Sequence, residues 1–236
     1  MIQDKTQKEI EQIVLKWGQI NSDDFKSYCT RKHLVDCLNT LIQDKNHQTP
    51  YLLSIADNPQ TEHLQIEWGT YDSPFGEAFI ANSNRGLVSL HFLNPDDTEQ
   101  NSLNVLTQHW PCATIDHNPA TVKRLGQQLF STRKTSHSIF VYVAANPFQV
   151  RVWQTLSTLA AGHLISYGQL AALCGQPGAA RAVGNALACN PIGWVIPCHR
   201  VIHSNGQIGQ YRWDTHRKMA MHIWEYSHFR NSSKFI

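Results

Sequence analysis

The sequence lacks the patterns that stabilise a secreted fold or hold a metal. Its six cysteines include no C-x-x-C pair, and its thirteen histidines are dispersed rather than set at zinc-ligand spacing. No apolar run approaches the length of a membrane span, and the first residues are polar rather than signal-like. We therefore expect reduced thiols, no metal, no cofactor, no membrane partner and a cytoplasmic location.

Acidic residues are scarce in the last third of the chain. Residues 151–236 hold 8 Lys/Arg and 2 Asp/Glu, a net charge of +6 (8 − 2), whereas residues 1–150 hold 12 and 16, a net charge of −4 (12 − 16). The net charge of +2 for the whole chain conceals this division. A polyanionic partner is expected to meet the carboxy-terminal part.

Apolar periodicity predicts an α+β protein in three parts. Residues 1–50 read as a helical amino-terminal extension that ends in a linker, and residues 60–145 as an α+β subdomain. Residues 146–236 carry mostly helix signals. In the middle part the pattern predicts strands near 63–69, 77–82, 87–93 and 138–144, helices over 98–110 and 119–132, and a turn at 84–86.

Two short helices in the last part suggest a helix-turn-helix. Ser166 and Gln169 have capping-box form, and a glycine-containing break separates this helix from a second one over about 178–189. The second helix presents Arg181, Ala182 and Asn185 on one thin face, which suits close approach to a groove or phosphate backbone with little sequence reading. An ordinary helical hairpin with tightly packed small residues remains the alternative.

Cys198 is the candidate nucleophile. Pro197 precedes it and constrains the turn, while His199 and Arg200 follow, and such neighbours lower the pKa of a cysteine thiol. A buried, inert thiol is the competing interpretation, because a Cys-His pair alone is weak support.

Residues 196–201, Ile-Pro-Cys-His-Arg-Val, resemble the active-site motif of the O6-alkylguanine-DNA alkyltransferases, also called methylated-DNA–protein-cysteine methyltransferases. The resemblance extends over roughly residues 62–228. Segments that match this family in order and spacing are 76–79, 85–87, 147–153, 166–171, 179–184, 190–191 and 209–211.

The resemblance implies a fold and an activity. The fold would be a small ribonuclease-H-like α/β subdomain followed by a mostly helical helix-turn-helix subdomain that binds DNA and carries the active site. The activity would be direct-reversal DNA repair, in which the methyl group of O6-methylguanine, with O4-methylthymine as a second candidate, passes irreversibly to Cys198. Duplex DNA would be met through the minor groove by a monomer, and each chain would react once.

Roles for individual residues also follow from the resemblance. Cys198 would accept the alkyl group, His199 would draw the thiol proton, Glu225 would orient that histidine, and Asn190 would brace the turn. The substrate would be contacted by Tyr211, Tyr167, Arg212 and Val201. The DNA would be contacted by Arg181, which fills the gap left by the flipped base, and by Ala182, Asn185 and Tyr167.

Two features point to the Ada-type branch of this family. Residues 211–213, Tyr-Arg-Trp, resemble the carboxy-terminal alkyltransferase portion of Ada-type proteins, whereas many members have small residues after the tyrosine. Residues 1–50 resemble a remnant of the AraC-type module that precedes it. The alternatives left open are a non-enzymatic alkyltransferase-like binder, a transcription regulator and a cysteine hydrolase.

Overall fold

The computed structural model describes Leu34 and residues 51–131 and 139–229, and these residues form two compact units. The sheet unit comprises residues 51–157 and 185–198. The helical unit comprises residues 158–184 and 199–229, with Leu34. Apart from Leu34, the predicted extension over residues 1–50 lies outside the described residues. Its boundaries, and those of the other two predicted parts, stay predictions.

A six-stranded mixed sheet forms the centre of the sheet unit. The strands lie in the order β1-β6-β4-β3-β2-β5, with β2, β3 and β4 antiparallel and the pairs β1–β6, β4–β6 and β2–β5 parallel. Their bounds are β1 Tyr51–Ile55, β2 Gln65–Ser73, β3 Gly76–Ser83, β4 Gly86–Phe92, β5 Thr114–His117 and β6 Ile139–Val143.

Three helices of the sheet unit begin where local residues satisfy the first free N–H groups. Helix α1, Glu99–His109, is capped by the Thr98 hydroxyl, and α2, Pro119–Leu129, by the Asn118 side chain. Helix α3, Pro147–Ser157, starts with a proline, whose missing N–H is not needed at that position. Its Trp153 is almost fully buried and donates its indole N–H to the Ala186 carbonyl at 3.1 Å.

The helical unit contains two short strands, a short helix and a longer carboxy-terminal helix. They are strand β7 Ile165–Ser166, helix α4 Tyr167–Leu173, strand β8 Val201–Ile202 and helix α6 Thr215–Phe229. Strands β7 and β8 pair in parallel. Helix α5, Ala180–Ala188, runs from residues of the helical unit into residues of the sheet unit. A single 3-10 turn, Cys198–Arg200, likewise spans the chain boundary between the two.

Most of the elements predicted from local patterns are confirmed. The capping box at Ser166 and Gln169 is present in both directions, and Gly175 and Gly178 adopt positive φ angles in the break between α4 and α5. Strands β1 and β5 were not predicted, because each is short and lacks clear alternation of apolar residues. The mixed α/β architecture is confirmed, whereas the finer ribonuclease-H-like description of its first part stays a prediction.

Gly86 closes the predicted turn between β3 and β4 and provides a test of the sheet. Its φ is +134°, and a Cβ atom there would lie 2.6 Å from the Phe140 carbonyl oxygen. Gly86→Ala should therefore lower the free energy of unfolding by about 1–3 kcal/mol, measured by urea denaturation.

Gly168→Ala is the matched control for this substitution. Gly168 lies within α4, and nothing stands within 4 Å of the position its Cβ would take. Alanine favours a helix over glycine, so this variant should be neutral or up to about 1 kcal/mol more stable. Equal effects of the two substitutions would contradict the close approach at Gly86.

Candidate active site

The segment that carries the candidate thiol is attached to the sheet of its own unit. The Leu90 N–H of β4 donates to the Pro191 carbonyl at 3.0 Å, and the Gly193 N–H donates to the Leu90 carbonyl at 2.7 Å. Leu90 and Ile192 form an isolated parallel bridge. Both backbone groups of Leu90 are thus used, which fixes the start of the segment against a central strand.

Asn190 braces the same segment from within and contacts the sulfur. Its side chain is 1% exposed, accepts the Ile192 N–H at 2.9 Å and donates to the Ile196 carbonyl at 3.0 Å. Its Nδ2 also lies 3.2 Å from Cys198 Sγ. A donor aimed at sulfur favours the thiolate over the thiol, so this contact suits a nucleophile.

Trp194 occupies the middle of this segment in a left-handed conformation, with φ at +65°. That conformation costs about 1–2 kcal/mol for a residue with a Cβ. Its ring lies 4.8 Å from the Phe75 ring and 5.9 Å from the Phe130 ring, centroid to centroid, and its indole N–H donates to the Leu129 carbonyl at 2.8 Å. These contacts offset the backbone strain.

In the helical unit, a buried carboxylate collects hydrogen bonds from three other residues. Glu225 on α6 accepts from His199 Nε2 at 3.0 Å and from the backbone N–H of Gly162 at 3.0 Å. Arg200 contributes its Nε at 3.0 and 3.1 Å and its Nη2 at 2.8 Å. Since a carboxylate only accepts, Nε2 of His199 carries the proton, and Nδ1 is the basic nitrogen.

The electrostatics of this cluster favour an ionised glutamate and a neutral histidine. Burial works to raise the pKa of Glu225, but the Arg200 charge and the hydrogen bonds from His199 and Arg200 hold that pKa well below its ordinary value. Burial lowers the pKa of His199 below 6.5, although Glu225 acts in the opposite direction. A neutral imidazole with a defined tautomer can accept a proton at neutral pH.

Two further buried side chains, Lys218 and His222, lie beside His199 and Glu225. Lys218 donates from Nζ to the carbonyls of Val201 at 2.6 Å and Ile208 at 2.8 Å. His222 donates from Nε2 to the His199 carbonyl. Burial, reinforced by the Lys218 charge, lowers the pKa of His222 to about 3, so this histidine is neutral in the folded protein.

Two of the four residues predicted to contact the substrate, Tyr211 and Arg212, lie against the same ring, that of Trp213. Tyr211, half-buried, meets the Trp213 ring edge-on at 5.3 Å, and Lys218 Nζ stands 5.9 Å from its ring centroid. Arg212 is exposed, with its guanidinium 5.8 Å from the centroid of the buried Trp213 ring. The assigned substrate roles stay predictions.

Tyr167 and Val201 lie elsewhere in the helical unit. The Tyr167 ring is 5.3 Å from the His203 ring, and its hydroxyl is 3.8 Å from the position a Cβ would take at Gly209. Tyr167 is therefore close to the segment that leads from Gly209 to Tyr211. Val201 is fully buried and pairs with Ile165, and its backbone carbonyl accepts a hydrogen bond from Lys218 Nζ.

The face of α5 predicted to meet DNA is open to solvent. Arg181, Ala182 and Asn185 are all exposed, whereas Val183 and Ala186 are buried. This division agrees with the predicted two-sided helix, and the thin face is not buried by other described residues. Binding of DNA by these residues stays a prediction.

The sequence assigned Arg200 only an effect on the Cys198 thiol and Trp194 only bulk near the turn, and it assigned no role to Lys218 and His222. Arg200 stood inside the quoted motif, and its position next to His199 was a usable signal. The others depend on partners distant in the chain. In the described part of the chain, no group of three or more His, Cys, Asp or Glu is arranged to hold a metal ion. Nor is any described helix long and apolar enough to cross a membrane.

Residues 147–226 match the family model described as "6-O-methylguanine DNA methyltransferase, DNA binding domain". The bifunctional transcriptional activator/DNA repair enzyme Ada of Escherichia coli is 34% identical over 165 residues, which are 68% of this chain and 45% of that protein. The chain thus spans less than half the length of this relative. The methylated-DNA–protein-cysteine methyltransferase of Mycolicibacterium paratuberculosis is 37% identical over 163 residues, which are 69% of this chain and 94% of that protein.

Solved structures lead to the same class of protein. The crystal structure of Mycobacterium tuberculosis OGT in complex with DNA is similar with a TM-score of 0.54 and 32% sequence identity, covering 69% of this chain and 94% of that one. Since the Mycolicibacterium paratuberculosis relative is 37% identical and is covered over 94% of its length, the chain belongs to the methylated-DNA–protein-cysteine methyltransferase family.

The neutral, buried His222 predicts how stability depends on pH. Its folded pKa lies below the ordinary 6.5, so it contributes stability that is present above pH 6.5 and is lost as the pH falls toward 3. His222→Gln keeps a donor for the His199 carbonyl and removes the titration. The slope of unfolding free energy against pH, measured by urea denaturation between about pH 6.5 and 4, should decrease by up to about 1.4 kcal/mol per pH unit.

His109→Gln is the control, since His109 is an exposed residue of α1. This variant should keep the wild-type slope. An unchanged slope in His222→Gln would contradict the neutral, desolvated state of His222.

Proposed function

We propose that this protein repairs DNA by transferring the alkyl group of O6-alkylguanine to Cys198, once and irreversibly. The observation that carries the proposal is the Asn190 Nδ2 contact to Cys198 Sγ, inside the segment that matches the family model. An amide donor on a buried sulfur favours the ionised form of the nucleophile.

The proposed reaction is a displacement at the alkyl carbon. His199 takes the proton of the Cys198 thiol, the sulfur forms a bond to the carbon, and the bond from that carbon to guanine O6 breaks. The electron pair of that bond stays with the base, where a donor such as Tyr211 stabilises the negative charge. The product is a thioether, which offers water no carbonyl to attack, so the thiol is not regenerated.

Glu225 and Arg200 support the proton transfer. Glu225 accepts the Nε2–H of His199 and so orients the ring with Nδ1 as the base. Arg200 compensates the glutamate charge through three contacts, which lets His199 stay neutral before the reaction. A base that is already protonated at neutral pH would not serve.

The substrate is proposed to be a nucleotide rotated out of duplex DNA. The target carbon is inaccessible inside a duplex, and extrusion costs a few kcal/mol, which a side chain filling the gap can offset. Arg181 on the exposed face of α5 is proposed for this role, with Ala182 and Asn185 beside it and Tyr167 near the phosphate. The thin face suits the minor groove, and the net charge of +6 in residues 151–236 favours a polyanion.

Finer features belong to the same proposal. O6-methylguanine is the proposed substrate, with O4-methylthymine second, and the protein is proposed to act as a cytoplasmic monomer. The first part of the fold is proposed to be ribonuclease-H-like, because β2, β3 and β4 form an antiparallel meander with β5 parallel to β2. The transcriptional activity in the name of the Escherichia coli relative is not proposed for this chain, which spans 45% of it.

The first test measures the mass of the intact protein after incubation with duplex DNA that contains O6-methylguanine. One methyl group, about 14 Da, should be added per chain and should map to the peptide that holds Cys198. Cys198→Ser should remain unmodified while DNA binding is retained. The exposed Cys189 provides the control, since Cys189→Ser should be methylated like the wild type. Methyl on another cysteine, or repeated turnover, would refute the proposal.

The second test concerns Arg181. Arg181→Ala should slow single-turnover methyl transfer on duplex DNA by about 10- to 100-fold, because the gap in the stack is left empty. Transfer from the free base or from a single strand should change little.

Arg151→Ala is the matched control, because Arg151 is an exposed arginine of the same basic region on α3. It should weaken duplex binding slightly and leave the ratio of duplex to single-strand rates unchanged. Equal losses for Arg181→Ala on all three substrates would make Arg181 a general phosphate contact instead.

A further inference from the structure

We propose that Trp194 is a positioning residue for alkyl transfer, because its side chain holds the backbone of residues 190–198 in the path that brings Asn190 Nδ2 to Cys198 Sγ. The inference rests on the proposed role of Cys198 as the alkyl acceptor. Each contact that carries it lies within the sheet unit.

The backbone around Trp194 is a tight loop that leads directly to the thiol. The Val195 N–H donates to the Gly193 carbonyl at 2.7 Å, and the Ile196 N–H donates to the Ile192 carbonyl at 3.1 Å. Both hydrogen bonds span Trp194, which therefore lies at the apex. The Cys198 N–H then donates to the Ile196 carbonyl at 2.7 Å, so the apex geometry is passed on to the cysteine.

The hydrogen bonds of the Asn190 side chain depend on the same loop geometry. Its Nδ2 donates both to the Ile196 carbonyl and to Cys198 Sγ. These two acceptors stay within reach of one amide only while the loop keeps its shape. A change at the apex would therefore alter the donor distance to the sulfur without removing any residue that contacts it.

The apex has an unfavourable backbone conformation, and side-chain contacts of Trp194 help to stabilise it. A φ of +65° suits glycine, yet a tryptophan stands here. Its ring packs tilted against Phe75 and stacked with Phe130, and the indole N–H reaches the Leu129 carbonyl at the end of α2. An aliphatic side chain could not donate this hydrogen bond, and glycine would supply neither contact. The Trp194 side chain thus links residues 190–198, here called the thiol loop, to the end of α2 and to the rings of Phe75 and Phe130.

The experiment compares Trp194→Gly, Trp194→Phe and the control Trp110→Phe. Glycine tolerates the positive φ but loses the anchor, while phenylalanine keeps a ring and loses the hydrogen bond. Trp110 is a buried tryptophan of the same unit that stacks on Tyr142, so Trp110→Phe removes core contacts outside the thiol loop. Two quantities are measured. The first is the rate at which iodoacetamide labels Cys198 at each pH, determined from the mass of the peptide that holds Cys198. The second is the single-turnover rate of methyl transfer.

Trp194→Gly should raise the pH midpoint of Cys198 labelling by about half a unit or more and slow methyl transfer by at least about ten-fold. Trp194→Phe should show smaller changes in the same direction, as a partial rescue. Trp110→Phe should keep the wild-type labelling midpoint, even where its thermal stability falls. All rates are compared at a temperature where each variant is folded.

A folded Trp194→Gly with the wild-type midpoint and rate would overturn the proposal, as would an equal midpoint shift in Trp110→Phe. If Trp194→Gly does not fold, the comparison of Trp194→Phe with Trp110→Phe decides in the same way. Failure of the proposed function gives a different result: the wild type would gain no methyl from DNA, while its labelling profile would still report on the effect of Trp194.

Discussion

The carboxylate of Glu225 is a negative charge enclosed in the helical unit, and much of the local structure follows from the need to compensate it. An unpaired charge in such a position would cost several kcal/mol. Arg200 supplies three contacts, His199 one, and the backbone of Gly162 another. His199 and Arg200 are consecutive in the chain, whereas Gly162 belongs to a separate stretch. The same interaction therefore holds α6 against the segment near residue 162 and sets the tautomer of the histidine.

The balance of charges in this cluster explains why the histidine remains available as a base. A glutamate alone beside a histidine stabilises the imidazolium, which would leave the ring protonated. Arg200 offsets the glutamate charge, and burial disfavours the cation further. Two neighbouring buried groups are also kept from carrying an uncompensated charge. His222 is held neutral, and the Lys218 ammonium group donates to two backbone carbonyls. Glu225 thus sets the orientation of the His199 ring, whereas Arg200 and burial favour its neutral state.

The thiol depends on a different kind of constraint, namely backbone shape. Asn190 contributes one side chain with three hydrogen bonds, and Leu90 contributes both its backbone groups. A central strand is a rigid support, because its neighbours on both sides restrict its movement. The sheet would in this way influence the reactivity of Cys198. In the further inference, the side chain of Trp194 adds a third support to the same segment.

Features that depend on neighbouring residues were determined by the sequence alone. The capping box at Ser166, the helix that starts at Pro147 and the turn that ends at Gly86 were all predicted, because each arises from contacts within a few residues. The nucleophile candidate was identified in the same way, from Pro197 and His199 beside Cys198. Such signals are legible because hydrogen bonding at a cap or turn is local.

Features that depend on distant partners were decided only by the tertiary structure. Strand β1 gained its place from parallel pairing with β6, more than eighty residues later, and β5 from pairing with β2. The roles of Trp194, Lys218 and His222 likewise follow from partners that periodicity does not reveal. Pairing of remote strands and compensation of buried charges depend on which surfaces meet after folding. Neighbouring residues in the sequence do not reveal those partners.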